Sequence, residues 1–492
     1  MISEHLPILQ VVIPLLAAPV CFLVRNPVRC WWLSMAASAA ALVIAAALLS
    51  EVWSGGSISY LLGSWAVPWG IEYRIDQVNS LVLLIVSGVS TVVLWFTRDS
   101  LRHEVEESHH HLFYTAWMLC LCGLLGMSAT GDVFNVFVFL EISSLSMYLM
   151  IALGRDRRAL TAAFAYLITG TIGATFFLIG LALLYSLTGT LNLQDMAHRL
   201  APITGSRTMV TAFAFIVLGI GVKAAVFPLH WWLPNAYRYA PTQATAMLGG
   251  TATKVSIYLL IRFIYDLFGP EFSFEALPLT DILLAAGVAA TLVMSAVALL
   301  QDDVKRLFAY SSVAQIGYMV IGLSLATTAG VTAALLHLFN HAIIKTALFM
   351  ALGAAFVRTG GFRIEQLHGM GRYMPWTMAA LLVAGLSLVG VPLTAGFVSK
   401  WYLISAALEQ RHFWLAATVV ASSLLALGYV WRIVEAGYFK PVPEGIDDRS
   451  EVSPSLLIPL WALVLANVYF GVDTSLPLGA ASGAARALLG GP

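Results

Sequence analysis

Apolar residues in this chain do not alternate with polar ones in the manner of an amphipathic helix or a half-buried strand; they run on. Apolar stretches of about 18 residues or more recur from end to end, and each, as a helix, can cross roughly 30 Å of hydrocarbon. The pattern predicts spans near residues 5–24, 30–50, 76–97, 112–129, 133–153, 159–187, 208–227, 241–266, 280–301, 308–327, 330–357, 374–407, 412–436 and 453–472. That makes about fourteen transmembrane helices. Two of the spans are punctuated. The seventh runs into KAAVFPLHWWLPNAYRYAPTQ, where Pro228, Pro234 and Pro241 each remove a backbone donor. The twelfth contains GLSLVGVPLTAGFVSKWYL, with Gly390, Pro392 and Gly396 in its middle, and is too long for one straight crossing.

Composition sharpens the class. Of 492 residues, 60% are hydrophobic and 11% charged, where a soluble protein carries about a quarter charged residues. The chain reads as an all-α polytopic membrane protein. The start, MISEHLPILQ, has Glu4 and no basic segment, so a cleaved signal peptide is not expected. Cys21, Cys30, Cys120 and Cys122 lie in or beside apolar runs, without metal or disulfide spacing.

Charge placement says more than net charge, which is zero. Alternate loops hold Arg25, Arg29, Arg98, Arg102, Arg155, Arg157, Arg158, Arg238, Lys305, Arg306, Arg358, Arg363, Arg372, Arg432, Lys440 and Arg449. The opposite loops hold only Arg74, Arg199, Arg207, Arg262, Arg411 and Arg486. The excess predicts Arg-rich loops in the cytoplasm and both termini on the outer side of a bacterial inner membrane. Four cations remain, Lys223, Lys254, Lys345 and Lys400, all inside spans of a chain that has only six lysines.

An ionised group at mid-membrane costs roughly 2.5–3.5 kcal/mol or more. One intramembrane acid, Glu141 in VFNVFVFLEISSLSMYLM, cannot neutralise four lysines, so structural salt bridges alone do not explain the set. A proton pathway does. A Lys–Glu contact that forms and breaks can pass a proton near neutral pH, and histidine relays between its two ring nitrogens. In HLFNHAIIK, helical spacing places His337, His341 and Lys345 one turn apart on one face. Ser143, Ser144, Thr171 and Thr251 are candidates to hold water, although such residues also pack membrane helices. The rival reading of the histidine pair is a metal site. It would need further ligands at membrane depth, and only His230 and Glu141 are available, so no metal is expected.

The broken spans suit a pathway, because irregular backbone at membrane depth belongs beside a hydrated cavity. Lys223 precedes Pro228 by five residues and Lys400 follows Pro392 by eight. VFPLHWWL and GVPLTAGF recur five spans apart, which suggests an inverted repeat of spans 4–8 against 9–13.

KAAVFPLHWWLPNAYRYAPT, DDVKRLFAYSSVAQIGYM, HLFNHAIIKTALFM and GVPLTAGFVSKW, in this order, resemble the proton-pumping antiporter-like subunits of complex I, membrane-bound hydrogenases and Mrp-type Na+/H+ antiporters. The resemblance spans about residues 70 to 435. It implies fourteen transmembrane helices, two inverted five-helix repeats, and broken seventh and twelfth helices. The expected organisation is three N-terminal helices (1–111), a first repeat (112–267), a second repeat (279–436) and a C-terminal loop with helix 14 (437–492). By motif it implies a relay of Glu141, Lys223, Lys254, His337, His341, Lys345 and Lys400. FNVFVFLEISSLSMYLMIAL and AAFAYLITGTIGATFFLIG look most like the D subunit of an Mrp antiporter. A long lateral helix or a large C-terminal extension, as in other members, would need more chain than is present, and the remaining complex I subunit usually has glutamate where Lys400 stands. The implied function is proton translocation in a multisubunit Na+/H+ antiporter, with a complex I-like NADH:quinone oxidoreductase or a membrane-bound hydrogenase as the alternative assembly. Expected partners are other subunits of a hetero-oligomeric complex, H+ and Na+, and the lipid bilayer, without nucleic acid. The chain has no cysteine cluster and no dinucleotide fingerprint, so no cofactor is expected. A lone channel is disfavoured, since a continuous pore needs neither alternating acid and base nor broken helices.

Overall fold

The structure is a computed structural model describing residues 3–442 and 451–490. It opens with α1 (Leu6–Val24) and α2 (Pro27–Gly55), then a two-stranded antiparallel ribbon of β1 (Ile58–Leu61) and β2 (Glu72–Ile75). Next come α3 (Gln77–Glu104), α4 (His110–Ala129), α5 (Val133–Ala152), α6 (Arg158–Thr188) and the short α7 (Leu193–Leu200). The seventh span is α8 (Arg207–Ala224), followed after a break by α9 (Trp232–Tyr239). The eighth is α10 (Thr242–Met247) and α11 (Thr253–Ile261), joined by a π-helical turn at Leu248–Ala252 and ending in another at Arg262–Leu267. Then follow α12 (Leu279–Leu299), α13 (Val304–Ser324), α14 (Thr328–Thr359) and the one-turn α15 (Met370–Tyr373). The chain finishes with α16 (Pro375–Val389), α17 (Ala395–Glu409), α18 (Phe413–Val434), α19 (Pro454–Val472) and α20 (Ser475–Leu489).

Among the described residues, thirteen helices are long and apolar enough to cross a membrane. The span expected at 374–407 is split into α16 and α17, each of 15 residues. A helix of that length covers about 22 Å, less than the hydrocarbon thickness. Two features depart from the expected pattern: the β1–β2 ribbon is not helical, and α20 follows helix 14. Arg449 of the expected C-terminal loop lies outside the described residues.

Carboxylates and a hydroxyl start α3, α5, α13 and α14. Asp76 accepts from the Val78 and Asn79 amides at the start of α3 while Asn79 Oδ1 accepts from the Asp76 amide. Asp132 and Asp303 cap α5 and α13, and Thr327 caps α14. Each satisfies amides that helix geometry leaves without a partner, which matters more where water is scarce.

The ends of the bundle alternate as the loop charges require. Bridges Tyr73–Thr130 and Asp132–Asn192 gather one set of loops, while Val105–Gly154 and Asp303–Arg363 gather the Arg-rich set. The core is α14, 32 residues long, packed on α3, α13, α16, α17, α19 and α20. The eighth span is buried along its whole length, whereas two-thirds of α19 faces outward. Exposed Leu16, Leu23, Trp32, Phe164 and Leu424 form an apolar exterior suited to lipid.

Candidate functional site

Glu141 on α5 and Lys223 near the end of α8 meet inside the bundle, with Nζ 3.7 Å from Oε1. The lysine donates instead to Ser144 Oγ at 2.7 Å and to the Tyr148 hydroxyl at 3.2 Å. Glu141 Oε1 has no hydrogen-bond partner. Ionic contact without a direct hydrogen bond leaves the pair coupled but separable. α8 stops one residue beyond Lys223, where Ala225 adopts φ 55° and the Val222 carbonyl accepts from Trp232 Nε1 at 2.9 Å. That indole stacks on Tyr166, which meets Tyr148 edge-on, so the break builds the wall of the lysine site. Gly170 completes it: a Cβ there would lie 1.9 Å from the Tyr148 hydroxyl oxygen.

Lys254 begins α11 and reaches back to the Gly249 carbonyl in the π-turn. A π-turn withdraws carbonyls from the regular ladder, and here the lysine takes one of them. Lys345 on α14 turns towards α13, donating to the Phe308 carbonyl at 2.8 Å and to Ser311 Oγ. Lys400 on α17 donates to the Leu388 and Val389 carbonyls at 2.9 Å each and to Ser423 Oγ at 3.0 Å. Those carbonyls are the last of α16, so the ammonium sits at the negative end of a half-helix. The same break is held by Ser387 Oγ, which accepts from the Gly396 amide and donates to Asn467, and by Asn340, which donates to the Ala395 carbonyl. Gly396 is required there, since a Cβ would fall 1.9 Å from the Ser387 carbonyl oxygen.

Between these lysines lie the two histidines. Their rings stack 5.7 Å apart and nearly parallel. His337 Nδ1 shares a hydrogen bond with Ser399 Oγ at 2.8 Å, one residue before Lys400. His337 Nε2 and both nitrogens of His341 have no partner, nor do Asn340 Oδ1 on the same helix and Gln315 Nε2 on α13. Fully buried polar atoms without protein partners are places for ordered water. Among the described residues no carboxylate lies within ion-pair distance of Lys254, Lys345 or Lys400, and no third His, Cys, Asp or Glu joins the histidine pair.

The structure thus brings Glu141 to Lys223, and His337 to both His341 and the residue beside Lys400. It does not keep Lys345 on the histidine stripe, because that ammonium points to α13. Of the candidate water holders, Ser144 touches Lys223, while Ser143 and Thr251 bond their own helices and Thr171 faces outward. Two loop cations are in fact interior. Lys305 is 0% exposed, and Arg262 is clasped by Asp76 and Asp266. QDDVKR reads as a loop because it gathers four charges within six residues, although among them Asp302 alone is exposed. The only sequence signal was Asp303, an N-cap that places Lys305 inside a helix.

A family model described as NADH:quinone oxidoreductase/Mrp antiporter, transmembrane, matches residues 130–426. The chain belongs to this family. It is 39% identical over 485 residues to the N subunit of an NADH-quinone oxidoreductase from Desulforudis audaxviator, covering 96% of each chain. It is 31% identical over 432 residues to the D subunit of a Na(+)/H(+) antiporter from Alkalihalophilus pseudofirmus, covering 87% of this chain and 86% of that one. Its fold superposes on a chain of the Mrp complex from a Dietzia species with a TM-score of 0.90 at 26% identity, covering 99% and 98%. It is an antiporter-like membrane subunit of the kind found in Mrp or complex I-like assemblies.

Proposed function

We propose that this subunit moves protons along Glu141, Lys223, Lys254, His341, His337 and Lys400, with Lys345 feeding the path from α13, and that the proton flow is exchanged for Na+ in an Mrp-type complex. The observation that carries the relay is the Glu141–Lys223 contact at 3.7 Å with the ammonium held by Ser144 and Tyr148. A carboxylate and an ammonium so placed exchange a proton when the pair separates, and the hydroxyls hold the lysine in either state. Breaks at Ala225 and Gly390 place helix ends beside Lys223 and Lys400, where a charge that comes and goes finds carbonyl dipoles. In everted vesicles, Glu141→Ala and Lys223→Ala should each abolish exchange with assembly intact, and Glu141→Asp should retain part of it. Normal exchange by Glu141→Ala would refute the pair.

A second reading rests on the 39% identity to an oxidoreductase subunit. There the same relay would be driven by electron transfer in other subunits of a complex I-like enzyme. Co-purification decides between them: small hydrophobic subunits support exchange for Na+, and iron–sulfur subunits support the redox-driven assembly.

A further inference from the structure

The Arg-rich end of the bundle holds a second buried Lys–Glu pair that the relay does not use. Glu104 ends α3 and is 8% exposed; Lys305, in the first turn of α13, is 0% exposed. Lys305 Nζ lies 3.9 Å from Glu104 Oε2. Thr242 mediates between them. Its amide and its hydroxyl each lie 2.9 Å from Glu104 Oε2, and Lys305 Nζ reaches the same hydroxyl oxygen at 3.4 Å. The arrangement repeats that of Glu141, Lys223 and Ser144: carboxylate and ammonium just beyond hydrogen-bond reach, with a hydroxyl at hand.

A polar trail runs from this pair in both directions. Outward, a cavity of about 360 Å³ opens at the Arg-rich end and is lined by Glu104, His103, Arg155, Asp156 and Arg238. Inward, Gln243 adjoins Thr242; its Nε2 donates to Ser100 Oγ at 2.7 Å, and its Oε1 has no partner. The buried Tyr237 hydroxyl also has none. The Tyr237 ring lies against Gly249, whose Cβ, were there one, would be 3.6 Å from Cε2. Gly249 in turn supplies the carbonyl that holds Lys254. Gln243 thus adjoins the pair and the Tyr237 ring adjoins the turn that holds Lys254, and water at the two orphaned polar atoms would satisfy both.

We propose that Glu104 and Lys305 are a proton-exchanging pair that loads Lys254 from the Arg-rich side, through water held by Gln243 and Tyr237. The proposal rests on Lys254 being a member of the relay. Lys305 ammonium releases a proton inward along the water to the neutral amine of Lys254. Glu104, protonated from the cavity, then returns a proton to the Lys305 amine. One proton enters, one moves on, and the pair recovers its starting charges.

A fixed brace between α3 and α13 would need only charge and length, and two substitutions separate brace from carrier. Lys305→Arg keeps the cation but does not release its proton. Tyr237→Phe removes a buried hydroxyl that has no protein partner within hydrogen-bond geometry. Proton translocation is measured in vesicles holding the assembled complex, normalised to subunit content, with Lys254→Ala alongside. Lys305→Arg should slow translocation on the order of a hundredfold, the scale of a lost proton-transfer group, and Tyr237→Phe should slow it several-fold with normal assembly. Wild-type rates in both would overturn the pair as a carrier, and if Lys305→Arg fails to assemble, a wild-type rate in Tyr237→Phe alone overturns the route. Loss in Lys254→Ala beside wild-type rates in the other two rejects only this entry. A wild-type rate in Lys254→Ala rejects the relay on which it depends.

Discussion

Gly170 on α6 lies where a single methyl group would strike the Tyr148 hydroxyl oxygen at 1.9 Å and approach Lys223 Nζ to 3.2 Å. The Glu141–Lys223 site is therefore packed to the atom around its lysine, and the position of the ammonium depends on a side chain that is missing. Gly170→Ala changes no charge. It should displace Tyr148 and slow transport severalfold, at a stability cost of about 1–3 kcal/mol, typical of overpacking. Flux per assembled complex, measured beside thermal stability in detergent, separates the two effects; unchanged flux would mean that the Tyr148–Lys223 contact is dispensable.

The stacked histidines give a different expectation. His341 has two unpartnered ring nitrogens and His337 one, beside the nitrogen bonded to Ser399, so each offers a proton relay a nitrogen open to water. Replacing either by glutamine should slow translocation and move its pH optimum. Chelators should have no effect on the wild-type complex. Inhibition by a chelator, reversed by added zinc, would instead assign the pair to a metal.

Lys400 sits on the terminal carbonyls of α16, and its chemistry can be tested by three replacements. Lys400→Ala should block turnover. Lys400→Arg should be nearly as poor, because guanidinium keeps its proton at accessible pH. Lys400→Glu should retain part of the rate, since a carboxyl also carries one exchangeable proton. Exchange at the wild-type rate by Lys400→Arg would make the residue a fixed counter-charge.

Asp76 links the β2–α3 corner to the eighth span through Arg262. Burial pushes its carboxyl up, but the Arg262 charge and hydrogen bond, with the Asn79 and Val78 amides, outweigh burial and hold it below the usual carboxylate range. A depressed carboxylate stabilises the fold fully above its unfolded value, about 3.9, and loses that contribution as pH falls through the folded value. Melting in detergent should therefore weaken below about pH 4. Asp76→Asn keeps a helix cap but loses the charge. It should cost about 1–2 kcal/mol at neutral pH, less than a fully broken buried pair because Asp266 still faces Arg262, and it should flatten the acid dependence. An unchanged acid limb would place that dependence elsewhere.

Much of this was legible in the sequence because the bilayer imposes one rule, that backbone groups be satisfied within each span. Apolar run length located the long helices, and Pro and Gly marked the breaks after Lys223 and before Lys400. The motifs around Lys223, Lys305, the histidines and Lys400 also carried the family. What escaped depends on contacts between distant segments. α20 is short and rich in Ala and Gly, and it is a helix because it packs on α3 and α14. The turn of Lys345 towards α13, away from the histidines, follows from where Ser311 and the Phe308 carbonyl stand. Lys305 and Arg306 are neighbours in sequence, yet only Lys305 turns in beneath the Ala240 carbonyl.

Glu141→Gln asks whether this carboxylate carries a proton to and from Lys223. The amide matches the carboxyl in size and polarity but cannot take up the proton. With the complete complex in proteoliposomes and a pH-sensitive dye inside, the variant should assemble normally and move no protons under a driving force that acidifies the wild type. A wild-type rate of acidification by assembled Glu141→Gln would show that the proton does not pass through this carboxylate.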